Sequence, residues 1–512
     1  MEGSCGLCGA PCEKKCANCR GVFYCSVKHQ REHWRSHKKS CPAFSVCRDD
    51  KVGRFLVASR NLKFGDVILK EAPLVTGPSQ FTAPVCLGCL QEIHENTATK
   101  CSRCGWPMCS QECQEAETHA EECRISAARG GITIEHFICP HPIYQCVLTL
   151  RCLLTERSCP DKWQQLSQLE SHSTSRKDSL QWLSDREHVA KFIPRFFKEQ
   201  RWTEDEILRV LGIVYINGHE VPLTEPAYVA IYATASLFEH SCLANVAKSF
   251  TDAGEIVFWA AQDIRKGDRL SICYTDALWG TQQRQEHLSQ TKMFTCSCPR
   301  CLDVTELGSN FSALNCETPC AGLLLAKDSN WHCQVCSRTV PKADVESLLE
   351  KAAQDASKMK SSVQGCLDFI RMHEKSLPPN HFIMIDVKCV LAQKIGEGHP
   401  QELQKAPDEL LEMKARLCRE ILDLIALLAP AENRSHGCMH FELHAALAEI
   451  ARRGVENGLN CQDLLDKSLW HAEQAARWLS QEPSVLVEGK ICAQARINVD
   501  TLRVVLQNGL TK

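Results

Sequence analysis

The sequence has no long apolar run: none approaches the roughly 18 residues that a membrane-crossing helix needs. Its beginning, Met1-Glu2-Gly3-Ser4-Cys5, lacks the basic-then-apolar order of a secretory leader and the Arg-rich amphipathic pattern of a mitochondrial one. An excess of either charge is missing too, since 59 basic and 62 acidic side chains leave a net charge of -3. A protein that grips nucleic acid with its whole surface is strongly basic, so that class is set aside and direct nucleic-acid binding is not expected. The short basic run from His29 to Lys39 also fits a solvated face. What remains is an ordinary globular composition, 44% hydrophobic and 24% charged. Its 512 residues correspond to about three or four domains, each with room for a core.

Cysteine is the exception, with 34 of them beside 20 histidines. Without a leader, metal ligation is a better reading than disulfides. The first cluster is Cys5-x2-Cys8, Cys16-x2-Cys19, Cys25-x3-His29 and His37-x3-Cys41: eight ligands within 37 residues, enough for two tetrahedral zinc ions. So short a segment buries no real core, and metal must supply its folding energy. A CxxC knuckle sets two thiolates on one tight turn, and the i,i+4 spacing of Cys25 and His29 sets two ligands on one helical face. Cys12 is left over as a competing ligand. A second cluster repeats the pattern as Cys86-x2-Cys89, Cys101-x2-Cys104, Cys109-x3-Cys113 and His119-x3-Cys123. Cys316-x3-Cys320 with Cys333-x2-Cys336 completes a four-thiol set, with spare thiols as the alternative. Cys296, Cys298 and Cys301 offer three thiolates and need a fourth ligand from elsewhere. All these sites look closed, so metal-centred catalysis is not expected.

Strands are expected at Phe55–Ala58, Val67–Leu69, Val246–Phe250, Ile256–Ala260 and Leu270–Tyr274. Residues 143–210 read as helical with a polar interruption at 171–179. From about residue 341 the apolar period becomes 3.6, with one stripe from Val345 to Ile370 and another from Leu410 to Leu428. Further helices are expected near 436–452, 462–480 and 485–508, together suggesting a stack of helical hairpins.

The two cysteine modules resemble the MYND finger, on Phe23-Tyr24-Cys25, His29-Gln30, Trp34, His37 and Cys41. In that family the knuckles interleave. The resemblance implies Cys5, Cys8, Cys25 and His29 on one ion and Cys16, Cys19, His37 and Cys41 on another. In the second module it implies Cys86, Cys89, Cys109 and Cys113, then Cys101, Cys104, His119 and Cys123. MYND fingers mostly mediate protein contacts, so protein partners are implied.

Glu239-His240-Ser241-Cys242-Leu243-Ala244-Asn245 resembles the signature of SET-domain lysine methyltransferases. The segment from Ile264 to Tyr274 resembles the one that ends in the catalytic tyrosine, and Arg284, Phe294 and Cys296–Cys301 resemble the post-SET region. A SET domain split by a MYND finger and followed by helices is the architecture of the SMYD family, and the additional first finger is similar to its insect members. The implied fold is multidomain α+β. Its parts are a MYND-type finger at 1–45, SET halves at 46–85 and 211–280, an inserted MYND-type finger at 86–123 and a helical insert at 124–210. A post-SET region with an additional four-cysteine zinc site at 281–340 and an all-α, TPR-like helical-hairpin domain at 341–512 complete it.

The family also supplies the missing ligand: Cys242 would join Cys296, Cys298 and Cys301, for about six zinc ions in all. The implied reaction moves a methyl from S-adenosylmethionine to a lysine of a protein substrate, histone or other. Tyr274 would line the channel and touch the cofactor, with a buried strand tyrosine as the alternative. Phe294 would stack on adenine; His240 and Asn245 would position the cofactor and brace the loop. Asn217 is a further implied contact, with a plain Asn-Gly turn as the rival reading. Gly53-Arg54-Phe55-Leu56 resembles the Gly-x-Gly-Leu cofactor loop, with Gly53 and Arg54 as contacts and Phe55 in the second glycine's place, where its ring would crowd the pocket. Glu239 replaces the usual Asn and would meet the cofactor's charged ends; Ala244 replaces a proline, and Asp268-Arg269 an acidic pair. Two functions follow as expectations: the methyltransferase, and a SET-fold zinc scaffold with little or no transfer activity. A monomer in the cytoplasm, the nucleus or both is expected.

Overall fold

The computed structural model describes residues 3–16, 22–50, 52–317, 320–397 and 400–507. The first finger pairs Gly3–Ser4 with Pro11–Cys12 and carries helix α1, Val27–Ser40. Ser26 caps that helix, its hydroxyl accepting from the His29 N–H at 3.1 Å.

Strands β1 (Phe44–Asp49) and β2 (Gly53–Ala58) then form a hairpin in which Asp49 faces Gly53. Gly53 has a φ of +73°, a turn conformation that costs glycine nothing. Strands β3 (Val67–Glu71) and β4 (Val75–Gly77) lead into the second cysteine module. The chain returns to the sheets as β5 (Gly218–Val221), β6 (Tyr228–Ile231), β7 (Glu239–His240), β8 (Val246–Phe250), β9 (Ile256–Ala260) and β10 (Ser271–Ile272). Two antiparallel sheets, in the orders β4-β6-β5 and β8-β9-β3, join strands from both sides of the insertion. The short pair β7 and β10 is parallel, with His240 beside Ile272. The expected strand Leu270–Tyr274 is thus reduced to two residues, because the chain leaves the sheet as it reaches Tyr274.

The insert packs on helix α2 (Tyr144–Ser158), buried around nearly its whole circumference, and helix α3 (Glu204–Asn217). A reciprocal Thr203/Glu206 capping box starts α3, which runs past the expected boundary at 210 to end at Asn217. The polar interruption is present but holds one helical turn, Ser173–Arg176. One buried arginine ties the second module to this core. His119 Nδ1 lies 3.2 Å from a Glu122 carboxylate oxygen, Glu122 pairs with the Arg151 guanidinium, and Arg151 donates to Leu87 O at 2.7 Å and Thr76 O at 2.9 Å.

After helix α4 (Thr281–Lys292) and a four-stranded sheet spanning Leu314 to Pro341, the chain is all helix. The Val345–Ile370 stripe is divided between α5 (Lys342–Met359) and α6 (Val363–His373), where Ser362 caps the second helix. Helix α7 (Phe382–Lys394) was not legible, because seven of its residues are buried and no single-face periodicity survives. Helices α8 (Asp408–Leu428), α9 (Asn433–Glu456), α10 (Gln462–Trp478) and α11 (Val487–Gln507) follow near the expected positions. None is long and apolar enough to cross a membrane.

Replacing Arg151 by Met should leave the buried Glu122 carboxylate without its guanidinium and cost about 3–5 kcal/mol. Chemical denaturation measures it, and a loss under about 1 kcal/mol would contradict a dry ion pair.

Candidate functional site

Four zinc-bound sulfurs at bonds of about 2.3 Å stand roughly 3.8 Å apart. Groups of four with ligand atoms within 4.8 Å of one another among the described residues include Cys5/Cys8/Cys25/His29, Cys86/Cys89/Cys109/Cys113, Cys101/Cys104/His119/Cys123, Cys242/Cys296/Cys298/Cys301 and Cys316/Cys320/Cys333/Cys336. Individual separations fit a tetrahedral ion: 3.6 Å for Cys8–Cys25, 3.9 Å for Cys101–Cys123, 3.4 Å for Cys242–Cys301 and 3.8 Å for Cys316–Cys336. Cys16, His37 and Cys41 are buried near the first finger's core, whereas their expected partner Cys19 lies outside the described residues. The carboxylate of Glu122 behind His119 fixes that imidazole with Nε2 toward Cys104, at 3.3 Å.

The Cys242 group joins the loop after β7 to the segment after α4. Beneath it lies a fully buried charge cluster that spacing did not reveal. Arg284 Nε donates to Cys242 Sγ at 3.3 Å and its Nη1 to Glu306 at 3.1 Å. Glu306 also accepts from Arg300 at 2.8 Å, and Arg300 donates to Leu428 O of α8 at 3.0 Å. A guanidinium next to the thiolates offsets part of their negative charge.

The parallel β7/β10 pair places His240 beside Tyr274. The Tyr274 N–H donates to His240 Nδ1 at 3.0 Å, which leaves the ring's proton on Nε2, facing Cys242 Sγ at 3.3 Å. Burial holds this imidazole neutral, its pKa pulled down to about 4. The Tyr274 hydroxyl donates to Phe238 O, and burial pushes its pKa up, so it remains a protonated donor at neutral pH. The rings of Tyr274 and Phe294 lie 5.2 and 5.8 Å from that of His240, and Phe294 is exposed. Asn245 accepts from Ser271 N–H at 3.0 Å and donates to Arg269 O at 2.9 Å, bracing the strand that leads to Tyr274. Asn217 donates to Glu170 O at 2.8 Å and Ile213 O at 2.9 Å, so any cofactor contact falls to its Oδ1.

The residues expected to disturb the pocket form a unit. Arg269 donates to Glu239 and to Asp49, each at 2.7 Å, and its guanidinium lies 4.0 Å from the Phe55 ring centre. Phe55 is buried beneath Arg269, a correction to the expectation of a crowding ring, and Glu239 already has a cationic partner. Arg54 points out to Gln168 O at 2.7 Å, and open space surrounds the Gly53 α-carbon. An exposed aromatic face beside a neutral imidazole fits a flat, cationic nucleoside cofactor.

On the far side of β8 and β10 a cavity of about 360 Å³ separates the SET sheet from the helices, lined by Lys248, Cys273, Glu432 and Arg434 among others.

The MYND finger family model matches residues 5–41 and the SET domain model residues 53–275. The chain has the domain pair of the SMYD family. SET domain-containing protein SmydA-8, isoform A, of Drosophila melanogaster is 25% identical over 424 residues, 78% of this chain and 88% of that protein. Histone-lysine N-methyltransferase ASHR1 of Arabidopsis thaliana is 24% identical over 415 residues, covering 76% and 82%. N-lysine methyltransferase SMYD2 of Gallus gallus is 26% identical over 262 residues, covering 49% and 57%. The SET fold of this chain is thus homologous to that of lysine methyltransferases.

Cys242→Ser should remove one zinc ion by elemental analysis and weaken cofactor binding with it; an unchanged metal count would break the link between the two. Burial, with Asp276 nearby, pushes the Glu432 carboxyl up to about 7, against opposing pulls from Arg434 and Lys248 and a further push from Glu482. A carboxyl raised in the folded state stabilises fully below its unfolded value of 4.5 and loses that contribution as pH rises through about 7. Stability should therefore fall across this window, and Glu432→Gln should flatten the profile of melting temperature against pH.

Proposed function

We propose that this SMYD-family chain is a protein-lysine N-methyltransferase that uses S-adenosylmethionine. The observation that carries the reading is the clustering of Tyr274, with its protonated hydroxyl, the neutral His240 and the exposed Phe294, the first and last with rings 5.2 and 5.8 Å from the His240 ring. When bound, the cofactor supplies an electrophilic methyl on a cationic sulfur. Phe294 would stack on its adenine; Gly53, Arg54, Asn217, Glu239, His240 and Asn245 would seat or brace it. The carbonyl of Phe238, held by the Tyr274 hydroxyl, presents a negative dipole to a cationic centre, which is the electrostatic help an in-line methyl transfer needs. The acceptor amine reacts only when neutral, and a desolvating channel favours that form.

The cavity between the SET sheet and the helices adjoins the strand that leads to Tyr274, and it supports entry of a protein lysine from that side. The proposed organisation retains the boundaries set out from the sequence: an inserted MYND-type finger at 86–123, a post-SET zinc region within 281–340 and TPR-like hairpins from 341. The first finger serves a protein partner, and the protein works as an intracellular monomer in cytoplasm or nucleus.

Calorimetric titration with S-adenosylmethionine tests the reading, with zinc counted in the same preparation. Micromolar binding is expected, followed by transfer to lysine peptides. Tyr274→Phe should still bind but lose about 10²-fold or more in transfer rate. Absence of binding by a folded protein with about six zinc ions would favour the scaffold reading instead, in which the fingers hold partners and the SET fold is inert.

A further inference from the structure

Lys292, the last residue of α4, lies against Tyr274. Its Nζ is 5.6 Å from the Tyr274 ring centre and donates to Ile216 O at 2.8 Å and Tyr215 O at 3.4 Å. Ile216 precedes Asn217, one of the proposed cofactor contacts, so an amine of the chain itself spans from the Tyr274 ring to the end of α3 that carries that contact. Both ends of its segment are fixed. Helix α4 holds it on one side; on the other, Met293 turns the chain with a φ of +61°, Phe294 lies beside His240, and Cys296 enters the thiolate group.

Burial and the charge of Lys248 are the two influences on this ammonium, and neither is a carboxylate. Its environment favours the neutral amine: half-buried, and facing a second cation, Lys248, it has its pKa lowered to about 8 by desolvation first and that charge second. His219 is itself held neutral by burial, with both lysines pushing the same way.

We propose that Lys292 is a methyl acceptor of its own active site, modified within the same molecule. The inference rests on the methyltransferase reading above. The Nζ lone pair forms a bond to the methyl carbon while the carbon–sulfur bond breaks. The bonding pair leaves with sulfur as a neutral thioether, and Nζ releases one proton to solvent. A methylated Lys292 would then alter how an external lysine enters, because both amines need the space beside Tyr274.

Purified protein is incubated with S-adenosylmethionine and the peptide containing Lys292 is weighed by mass spectrometry. One methyl increment is expected, absent in Lys292→Arg, with a rate independent of protein concentration. Modification of the Tyr274→Phe protein by added wild type would overturn the intramolecular step. So would an unmodified Lys292 in protein that methylates an external lysine, an outcome that leaves the methyltransferase reading intact. Failure to bind cofactor overturns both. A binding measurement tests placement without turnover. At pH 7, below the lowered pKa of about 8 where the amine still carries its proton before turnover, Lys292→Met should raise affinity for the cationic cofactor relative to the neutral thioether product by about threefold or more, since a like charge is removed. An unchanged ratio would place Lys292 away from the sulfur and overturn the proposal.

Discussion

Closure of the Cys242 group with Cys296, Cys298 and Cys301 is the constraint on which the rest of the site depends. The β7/β10 contact that aligns His240 with Tyr274 is only two residues long on each strand. So short a pair has little stability of its own. Its geometry survives because Cys242 lies two residues beyond it and is fastened to the segment after α4. The buried Arg284–Glu306–Arg300 cluster carries the same restraint to Leu428 of the helical region. Tyr274, the aromatic Phe294 and the helices are therefore coupled through one metal-sized point.

The two fingers show what the surroundings make of one ligand pattern. In the second, the Cys101, Cys104, His119 and Cys123 group is wholly buried, and Glu122 and Arg151 connect it to the insert core. Such a module is part of the scaffold. The first finger joins the SET fold at its C-terminal side, through Cys41 and Ala43, and leaves much of α1 exposed. The same chemistry thus yields a structural block in one place and an accessible helix face in the other.

Metal ligands were legible because coordination demands specific side chains at short spacings, and five of the expected groups assemble as four-ligand sets. The strands at 246–250 and 256–260 were legible because alternation and turn residues are local signals. Interactions across sequence distance left no such signal. Glu306 reads as an ordinary acidic residue until Arg284 and Arg300 close on it, and nothing near Lys292 in the sequence reveals that Tyr274 will face it. Helix α7 was missed because burial on several sides erases the polar face by which a helix is recognised.

The departures at the cofactor pocket are best understood together. Taken singly, Glu239 brings an uncompensated charge and Phe55 brings bulk. In the fold, Arg269 answers both: its guanidinium pairs with Glu239 and Asp49 while its plane covers the Phe55 ring. An acidic residue at 269 would have repelled Glu239 and Asp49 and left Phe55 without its cap. The Arg269 replacement and the Glu239 replacement therefore compensate one another electrostatically. Compensation of this kind keeps a pocket's net charge and shape while changing its residues. It follows that departure from a motif at several positions is weaker evidence of lost activity when the departing side chains bond to each other than when each stands alone.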